Sequence, residues 1–313
     1  MDKSFIGRIL MLLKDIGVMK CSLLGGEPTV YPRLFEVIEQ GKALGLFMAL
    51  VTNGRKLADK KYAEELKKVD VSHVSISIQG ASSDSHNSLT KNGQAFDETI
   101  SGIKNCVDLG IPVSTATVVG VNDADEYKKL LRVLKDAGAQ DMPFNSCLPA
   151  LRVEEDNQSL LTPKASAAII EEIYVYGKEQ GVQIGTLFRL PLCLLSDDVA
   201  QEMINNNLIQ NGCQVYSGRA LVINPDGSVL PCSHWMDYAV MDVWKDKQKT
   251  KMVSAREFMK RWNSGVPFKL REEIWRYRSK KCIGCSYWAK HCFAGCPLLW
   301  SQFDPEEVIP GLH

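Results

Sequence analysis

The sequence has 313 residues, 45% of them hydrophobic and 24% charged, so the chain can bury a sizeable core in one large domain, alone or with a smaller one. Lys plus Arg and Asp plus Glu total 37 each, which leaves no overall field to attract nucleic acid or an anionic membrane. No stretch reaches the roughly 18 uninterrupted apolar residues of a membrane span, and charged residues interrupt the N-terminal apolar segment. We therefore expect a cytoplasmic protein with neither nucleic-acid nor membrane partners.

Helices and strands are predicted to alternate through the first two thirds of the chain. SFIGRILMLLKDIG has helical periodicity that ends at Gly17, and the strand MKCSLLGG follows it. Then come RLFEVIEQGKALG, FMALVTNG, DKKYAEELKKV, SHVSISIQG, FDETISGIKNCVDLG, IPVSTATVVG, ADEYKKLLRVLKDAG, DMPFNSCLP and PKASAAIIEEIYVYGKEQG. These five strands and six helices predict an α/β fold with a parallel sheet and ligand sites at the carboxyl ends of its strands.

Polar or glycine-rich residues follow four of these strands. They are Gly25-Gly26-Glu27-Pro28, Thr52-Asn53-Gly54, Ser75-Ile76-Ser77 with Gln79-Gly80, and Gly120-Val121-Asn122-Asp123. Each stretch taken alone is equally consistent with an ordinary turn. Because a parallel sheet brings these ends to one face, the four together favour a site for a small polar ligand, and paired glycines let a backbone approach that ligand closely.

The ten cysteines are unevenly distributed. Cys21, Cys106, Cys147 and Cys193 are scattered among apolar residues, whereas Cys213, Cys232, Cys282, Cys285, Cys292 and Cys296 fall in the last third. In a reducing compartment such a cluster indicates metal binding or catalysis rather than disulfides. Thiolates at these spacings suit iron-sulfur clusters, and a structural zinc site built from Cys-x2-Cys and Cys-x3-Cys is the alternative.

Three segments in chain order resemble the radical S-adenosylmethionine (radical SAM) enzymes: LLGGEPTVYPRLFEVI, LVTNGRKL and VSISIQGA. CQVYSGRALVINPDGSVLPC is similar to the opening of the SPASM domain, the cysteine-rich extension of peptide- and protein-modifying members. Cys282-x2-Cys285 and Cys292-x3-Cys296 match the second half of that domain, with six residues between the pairs where the family has five. The resemblance implies a partial (β/α)6 TIM-like barrel over residues 1–185, a linker over 186–212 and a SPASM domain over 213–313.

The resemblance also implies two auxiliary [4Fe-4S] clusters, one on Cys213, Cys232 and Cys296 and the other on Cys282, Cys285 and Cys292. Each set lacks a fourth ligand. Cys193 is one candidate to complete the first set, although in relatives the extra cysteine lies closer. For the second set the candidates are Asp304, Glu306, Glu307, His313, an open iron, or residues beyond His313.

The radical-forming cluster of the family needs a Cys-x3-Cys-x2-Cys loop before the GGEP strand. Only Cys21 precedes GGEP, so the first barrel strand and the ligands of that cluster are absent from this sequence. We expect an N-terminally truncated form, or a start placed at an internal methionine. A relative that has lost the chemistry and acts as a scaffold is the alternative.

The family's chemistry implies S-adenosylmethionine bound at the strand ends and cleaved to a 5'-deoxyadenosyl radical that abstracts hydrogen from a substrate. Backbone groups of Gly25, Gly26 and Glu27, next to Pro28, are expected at the methionyl amine. Ser77 with Thr52 or Asn53 is expected at the ribose, and Val119 and Val121 at the adenine.

The resemblance implies modification of a ribosomally made peptide or a protein, forming a crosslink or thioether, with flavodoxin or ferredoxin as the electron donor. One alternative is oxidation of Cys or Ser of the anaerobic sulfatase-maturing type. The other is a non-catalytic, zinc-bound or metal-free peptide-binding scaffold. Gln79 stands where many relatives have an acidic residue, and no catalytic acid or base is assigned.

Overall fold

The computed structural model describes residues 3–120, 122–150 and 160–310, which form two compact units. The first unit comprises Asp2–Asn145 and Glu172–Gly185, and the second comprises Ser146–Glu171 and Thr186–His313. The domain boundaries expected from the sequence, at residues 185 and 213, stay predictions. No helix in the described part of the chain is long and apolar enough to cross a membrane.

The first unit is built on a five-stranded sheet whose spatial order follows the sequence. Its strands are β1 (Lys20–Leu23), β2 (Phe47–Thr52), β3 (His73–Ser77), β4 (Val113–Val119) and β5 (Phe144–Ser146). The first four strands pair in parallel, with Ser22 opposite Ala49, Val51 opposite Ser75, and Ser77 opposite Ala116. The predicted α/β class and parallel sheet are confirmed.

Seven helices accompany this sheet among the described residues: α1 (Lys3–Asp15), α2 (Leu34–Ala43), α3 (Lys60–Lys68), α4 (Ser83–Thr90), α5 (Ala95–Asp108), α6 (Ala124–Asp136) and α7 (Pro163–Glu179). Six of them were predicted. Their apolar stripes form the core, as in α6, where Leu130, Leu131 and Leu134 are completely buried. Helix α4 was not predicted because its sequence is almost entirely polar; a capping box between Ser82 and Ser85 begins it.

The second unit contains shorter elements. They are the helices α8 (Asp197–Asn205), α9 (Gln214–Ser217), α10 (Ala255–Trp262), α11 (Gly265–Glu272) and α12 (Pro305–Val308), with the strands β6 (Val222–Ile223), β7 (Ser228–Leu230) and β8 (Met241–Asp242). The three strands form an antiparallel sheet in the order β6-β7-β8. Several of the predicted cysteines pack in the small apolar clusters of this unit.

Candidate functional site

The carboxylate of Glu27 joins the segment after β1 to the end of β2. Its Oε1 accepts hydrogen bonds from the Thr29 amide (3.0 Å), the Thr29 hydroxyl (2.7 Å) and the Thr52 hydroxyl (2.6 Å). Its Oε2 accepts one from the Asn53 amide (2.8 Å). Four donors on one carboxylate fix the relative position of two strand ends, because hydrogen bonds to a charged acceptor are stronger than neutral ones.

The backbone before Glu27 is open to a ligand. Gly25 and Gly26 have φ angles of +96° and +46°, which residues with a side chain rarely adopt, and both are exposed. A Cβ on either would meet no atom within 4 Å, so the space beside this backbone is free. Pro28 follows as the first residue of a short 3-10 helix, Pro28–Val30, with Glu27 as its N-cap. The structure thus holds the glycine pair as an accessible, fixed turn.

The end of β3 is held by Gln79 and a buried histidine. The Gln79 amide donates to Nδ1 of His86 (3.1 Å), and the Gln79 side-chain oxygen accepts from the Val118 amide of β4 (3.0 Å). His86 is only 2% exposed, and burial lowers the pKa of its imidazole. Ser77, the last residue of β3, is half-buried and lies next to these groups in the chain.

The end of β4 is fastened by a buried tyrosine. The hydroxyl of Tyr127 accepts from the Gly120 amide (2.8 Å) and donates to the Val118 carbonyl (3.3 Å). Asn122 donates through Nδ2 to the Gln79 carbonyl (2.9 Å), which links this end to that of β3. Val121, predicted at the adenine, lies outside the described residues.

Two predicted ligand contacts need correction. The Thr52 side chain is 3% exposed, and its hydroxyl donates to Glu27 and accepts from the Gly54 amide (3.1 Å), so both of its hydrogen-bonding functions are used within the protein. Val119 has no exposed surface, so its side chain belongs to the core and not to a ligand site. Asn53 and Ser77 are half-buried and keep a surface that a ligand can reach.

In the second unit, Cys213, Cys232 and Cys296 lie together around Arg189. The charge of the Arg189 guanidinium interacts with all three sulfurs. Nη1 of Arg189 donates to the carbonyls of Gln210 (3.0 Å) and Gly212, and the Arg189 carbonyl accepts from the Cys296 amide (2.7 Å). We call these three cysteines the first set. Arg189 connects the segment before Cys213 to Cys296.

Cys193 lies with Cys282, Cys285 and Cys292, which together are the second set. All four line one small cavity. Cys193, one candidate for completing the first set, therefore lies with the second set in the structure. The 3-10 turn Leu192–Leu194 places it in the wall of this cavity.

Burial governs the protonation of these thiols. Burial, with a smaller contribution from the neighbouring sulfur charges, raises the pKa of Cys193 and of Cys296 to about 12. The pKa values of Cys213, Cys282 and Cys292 are also raised, again chiefly by burial. Without a metal these thiols are neutral near pH 7, so binding a metal must release protons.

The donors of both sets are thiols, whose thiolates are the ligands of iron-sulfur clusters and of structural zinc sites. Among the described residues, no group of three or more His, Cys, Asp or Glu side chains surrounds one point closely enough to hold a single ion. A zinc site needs four ligands at about 2.0–2.3 Å from one centre. A [4Fe-4S] cluster binds one cysteine at each of its irons, so its thiolates line a cavity instead of converging on a point.

Residues 1–138 match the family described as the Radical SAM superfamily. The AdoMet-dependent heme synthase of Methanosarcina barkeri is 25% identical over 239 residues, which cover 74% of this chain and 66% of the relative. A probable GTP 3',8-cyclase of Pyrococcus horikoshii is 33% identical over 136 residues, 43% of either chain. This chain spans less than two thirds of these relatives.

Similar solved structures cover nearly the whole chain. Native anSMEcpe with bound AdoMet superposes with a TM-score of 0.69 at 18% identity, covering 95% of this chain and 80% of that one. Streptococcus suis SuiB gives a TM-score of 0.67 at 20% identity, covering 96% of this chain and 68% of that one. At these identities the likeness establishes the fold, in agreement with the predicted radical SAM barrel class.

The sequence did not reveal four side chains that shape these sites: the Glu27 carboxylate, His86, Tyr127 and Arg189. Glu27 had been expected to contribute only its backbone. His86 stands in the unpredicted helix α4. Tyr127 looks like one more apolar residue on the stripe of α6. Nothing in the sequence around Arg189 signals that its charge meets cysteines that lie far along the chain.

Proposed function

We propose that this chain is a radical SAM/SPASM-type enzyme that modifies a ribosomally made peptide or a protein. The observation that carries the proposal is that seven cysteines of the second unit form two sets, in a chain whose residues 1–138 match the Radical SAM superfamily. A peptide substrate is supported by one structural relative, SuiB, which has been solved with its precursor peptide SuiA. A crosslink or thioether product, a flavodoxin or ferredoxin electron donor and a cytoplasmic location belong to the same proposal.

S-adenosylmethionine is assigned to the strand ends of the first unit. The exposed backbone of Gly25 and Gly26 would bind the methionyl amine, and Asn53 and Ser77 would supply polar groups for the ribose. The hydrogen bonds of Glu27 hold the first two strand ends in place before any ligand arrives. Such preorganisation lowers the cost of binding because the protein need not order these groups again.

The residues present do not fit the radical-forming cluster. That cluster takes three cysteines before the GGEP segment, and the printed sequence has only Cys21 there. Cys21 itself lies within β1, and burial raises its pKa to about 11.

The two cysteine sets are assigned to the auxiliary clusters, which would carry single electrons. Cys213, Cys232 and Cys296 would hold one, with the Arg189 charge beside it, while Cys282, Cys285 and Cys292 would bind the other. The protein's own contribution is an apolar wall, provided at the second set by Trp288 and Ile309 among others, which limits the access of water.

The test is anaerobic reconstitution of the 313-residue chain with iron and sulfide, followed by iron counting, EPR and equilibrium dialysis with S-adenosylmethionine. Two clusters predict about eight irons per chain, and an intact strand-end site predicts binding of S-adenosylmethionine. One tightly held zinc, no iron and no S-adenosylmethionine binding would overturn the proposal and favour the scaffold alternative.

A second candidate has its own support, because the heme synthase relative aligns with 74% of this chain. A porphyrin-type substrate would then replace the peptide. Titration of the chain with heme separates the two: a shifted Soret absorption that saturates at one heme per chain favours this candidate, and an unchanged spectrum favours the peptide. Oxidation of Cys or Ser of the sulfatase-maturing type stays a further alternative; anSMEcpe has been solved with a Cp18Cys peptide, and offering a Cys-containing peptide to this chain tests it.

A further inference from the structure

Cys193 belongs to the linker predicted over residues 186–212, yet it lies among the cysteines near the C-terminus. It packs against the apolar cluster of Cys282, Ala294 and Ile309. Its sulfur is close enough to Cys282, Cys285 and Cys292 for their charges to raise its pKa, after burial as the main cause. Four thiols around a single cavity equal the number of cysteines that a [4Fe-4S] cluster usually takes.

Other candidates for the fourth ligand already have partners. The Glu306 carboxylate accepts from the Ser279 hydroxyl (2.9 Å) and from the Lys280 amide (2.9 Å). Asp304 caps helix α12 by accepting from the Glu306 amide (2.8 Å). Neither side chain lines the cavity, whereas Cys193 does.

The backbone on either side also fixes Cys193 in this position. Pro191 precedes the turn, and the Leu194 amide donates to the Pro191 carbonyl (3.1 Å). A Cβ on Gly295 would lie 2.8 Å from the Arg189 carbonyl oxygen and 3.1 Å from Pro191, so only glycine permits this close approach. The segment that carries Cys193 is therefore packed directly against the turn between Cys292 and Cys296.

The geometry points to Cys193 as the fourth ligand of the second set. The linker then supplies this ligand, and no residue near the C-terminus is needed to complete the site. The inference rests on the proposed function only in requiring that the second set binds a cluster. It departs from the pattern that the sequence resembles, in which a cysteine after the Cys-x3-Cys pair closes this site. It also leaves the first set with three cysteines and Arg189.

Thiol footprinting of the wild-type chain tests the assignment without any substitution. The metal-free and the reconstituted chain are alkylated with iodoacetamide under anaerobic conditions, and each cysteine is followed by mass spectrometry. Alkylation of Cys193 should slow at least tenfold on reconstitution, together with that of Cys285. Cys147, in the same unit but in neither set, should react at the same rate in both samples.

Variants give a second readout. Cys193→Ala should lower the iron content and convert the second cluster to a three-iron form with its own EPR signal, while Cys147→Ala should leave both unchanged. Equal alkylation of Cys193 in both samples, with Cys285 protected, would overturn this inference and leave the proposed function intact. Failure of reconstitution to protect any cysteine of either set would overturn the proposed function itself.

Discussion

Replacing Glu27 by Gln tests whether one carboxylate holds the strand-end site together. The substitution keeps the size of the side chain but removes its charge and turns one acceptor oxygen into an NH2 donor. If the remaining oxygen takes the place of Oε1, it still accepts from Thr29 and Thr52, but the new NH2 group faces the Asn53 amide. Two donors then point at each other.

The expected loss follows from these contacts. Hydrogen bonds to a charged group contribute about 1.5–3 kcal/mol each, neutral ones about 1 kcal/mol, and an unsatisfied buried donor costs about 1–3 kcal/mol. Because Glu27 is half-buried, water replaces part of what is lost. We therefore expect a local destabilisation of about 2 kcal/mol, which is roughly a 30-fold change in an opening equilibrium.

Hydrogen exchange of the Asn53 amide measures this opening directly, because exchange reports local unfolding rather than the unfolding of the whole chain. In the Glu27→Gln variant, protection of Asn53 should fall roughly 30-fold. Glu39→Gln, an exposed change on α2, is the matched control and should leave protection unaltered. A Glu27→Gln variant that keeps Asn53 protection within about threefold of wild type would refute the reasoning.

Burial lowers the pKa of His86, so the Gln79 amide that donates to it should keep its protection above about pH 6.5 and lose it progressively below, as the unfolded chain takes up the proton first. Hydrogen exchange corrected for intrinsic rates between about pH 8 and pH 5 measures this. Gly102→Ala would place a Cβ 2.2 Å from the Gly54 carbonyl oxygen and should lower the free energy of unfolding by about 2 kcal/mol, measured by thermal denaturation. Arg189→Gln removes a half-buried positive charge beside the first set and should shift the reduction potential of the cluster proposed there to a more negative value, measured by EPR-monitored titration.

Each of these predictions has a matched control. In His86→Gln the loss of protection below about pH 6.5 should disappear; if it persists, another group causes it. Gly93→Ala, where a Cβ meets no atom within 4 Å, should change stability by less than about 0.5 kcal/mol; an equal loss at Gly102 and Gly93 would argue against the steric explanation. Arg189→Lys keeps the charge and should shift the potential less than Arg189→Gln, while the exposed Arg256→Gln should not shift it.

The alternation of strands and helices could be predicted from the sequence because the spacing of apolar residues changes wherever a strand gives way to a helix. β3, with Val74 and Ile76 buried and His73, Ser75 and Ser77 only half-buried, shows the strand period plainly. Helix α4 could not be predicted in the same way. Only one of its side chains, that of His86, is buried, so no apolar stripe marks it.

Some site residues could be predicted from the sequence and others could not, because members of one site differ in how far apart they lie along the chain. The short spacing of Cys282, Cys285 and Cys292 predicts that they lie together, and in the structure they line one cavity. Cys193 lies 89 residues before Cys282, and Arg189 lies 107 residues before Cys296, and no local pattern encodes the return of the chain over such distances. Thr52 was misassigned because a threonine at a strand end looks the same whether its hydroxyl meets a ligand or a carboxylate.

The two units hold their site residues by different means. In the first unit, Glu27, His86 and Tyr127 fasten the strand ends through hydrogen bonds that need no cofactor. In the second unit, elements are short, and the apolar clusters contain the thiols themselves, with Cys282 in one and Cys213 beside the other. If the two sets bind metal as proposed, these buried thiols must lose their protons, which would change the charge among the apolar side chains and couple metal binding to the folding of this unit.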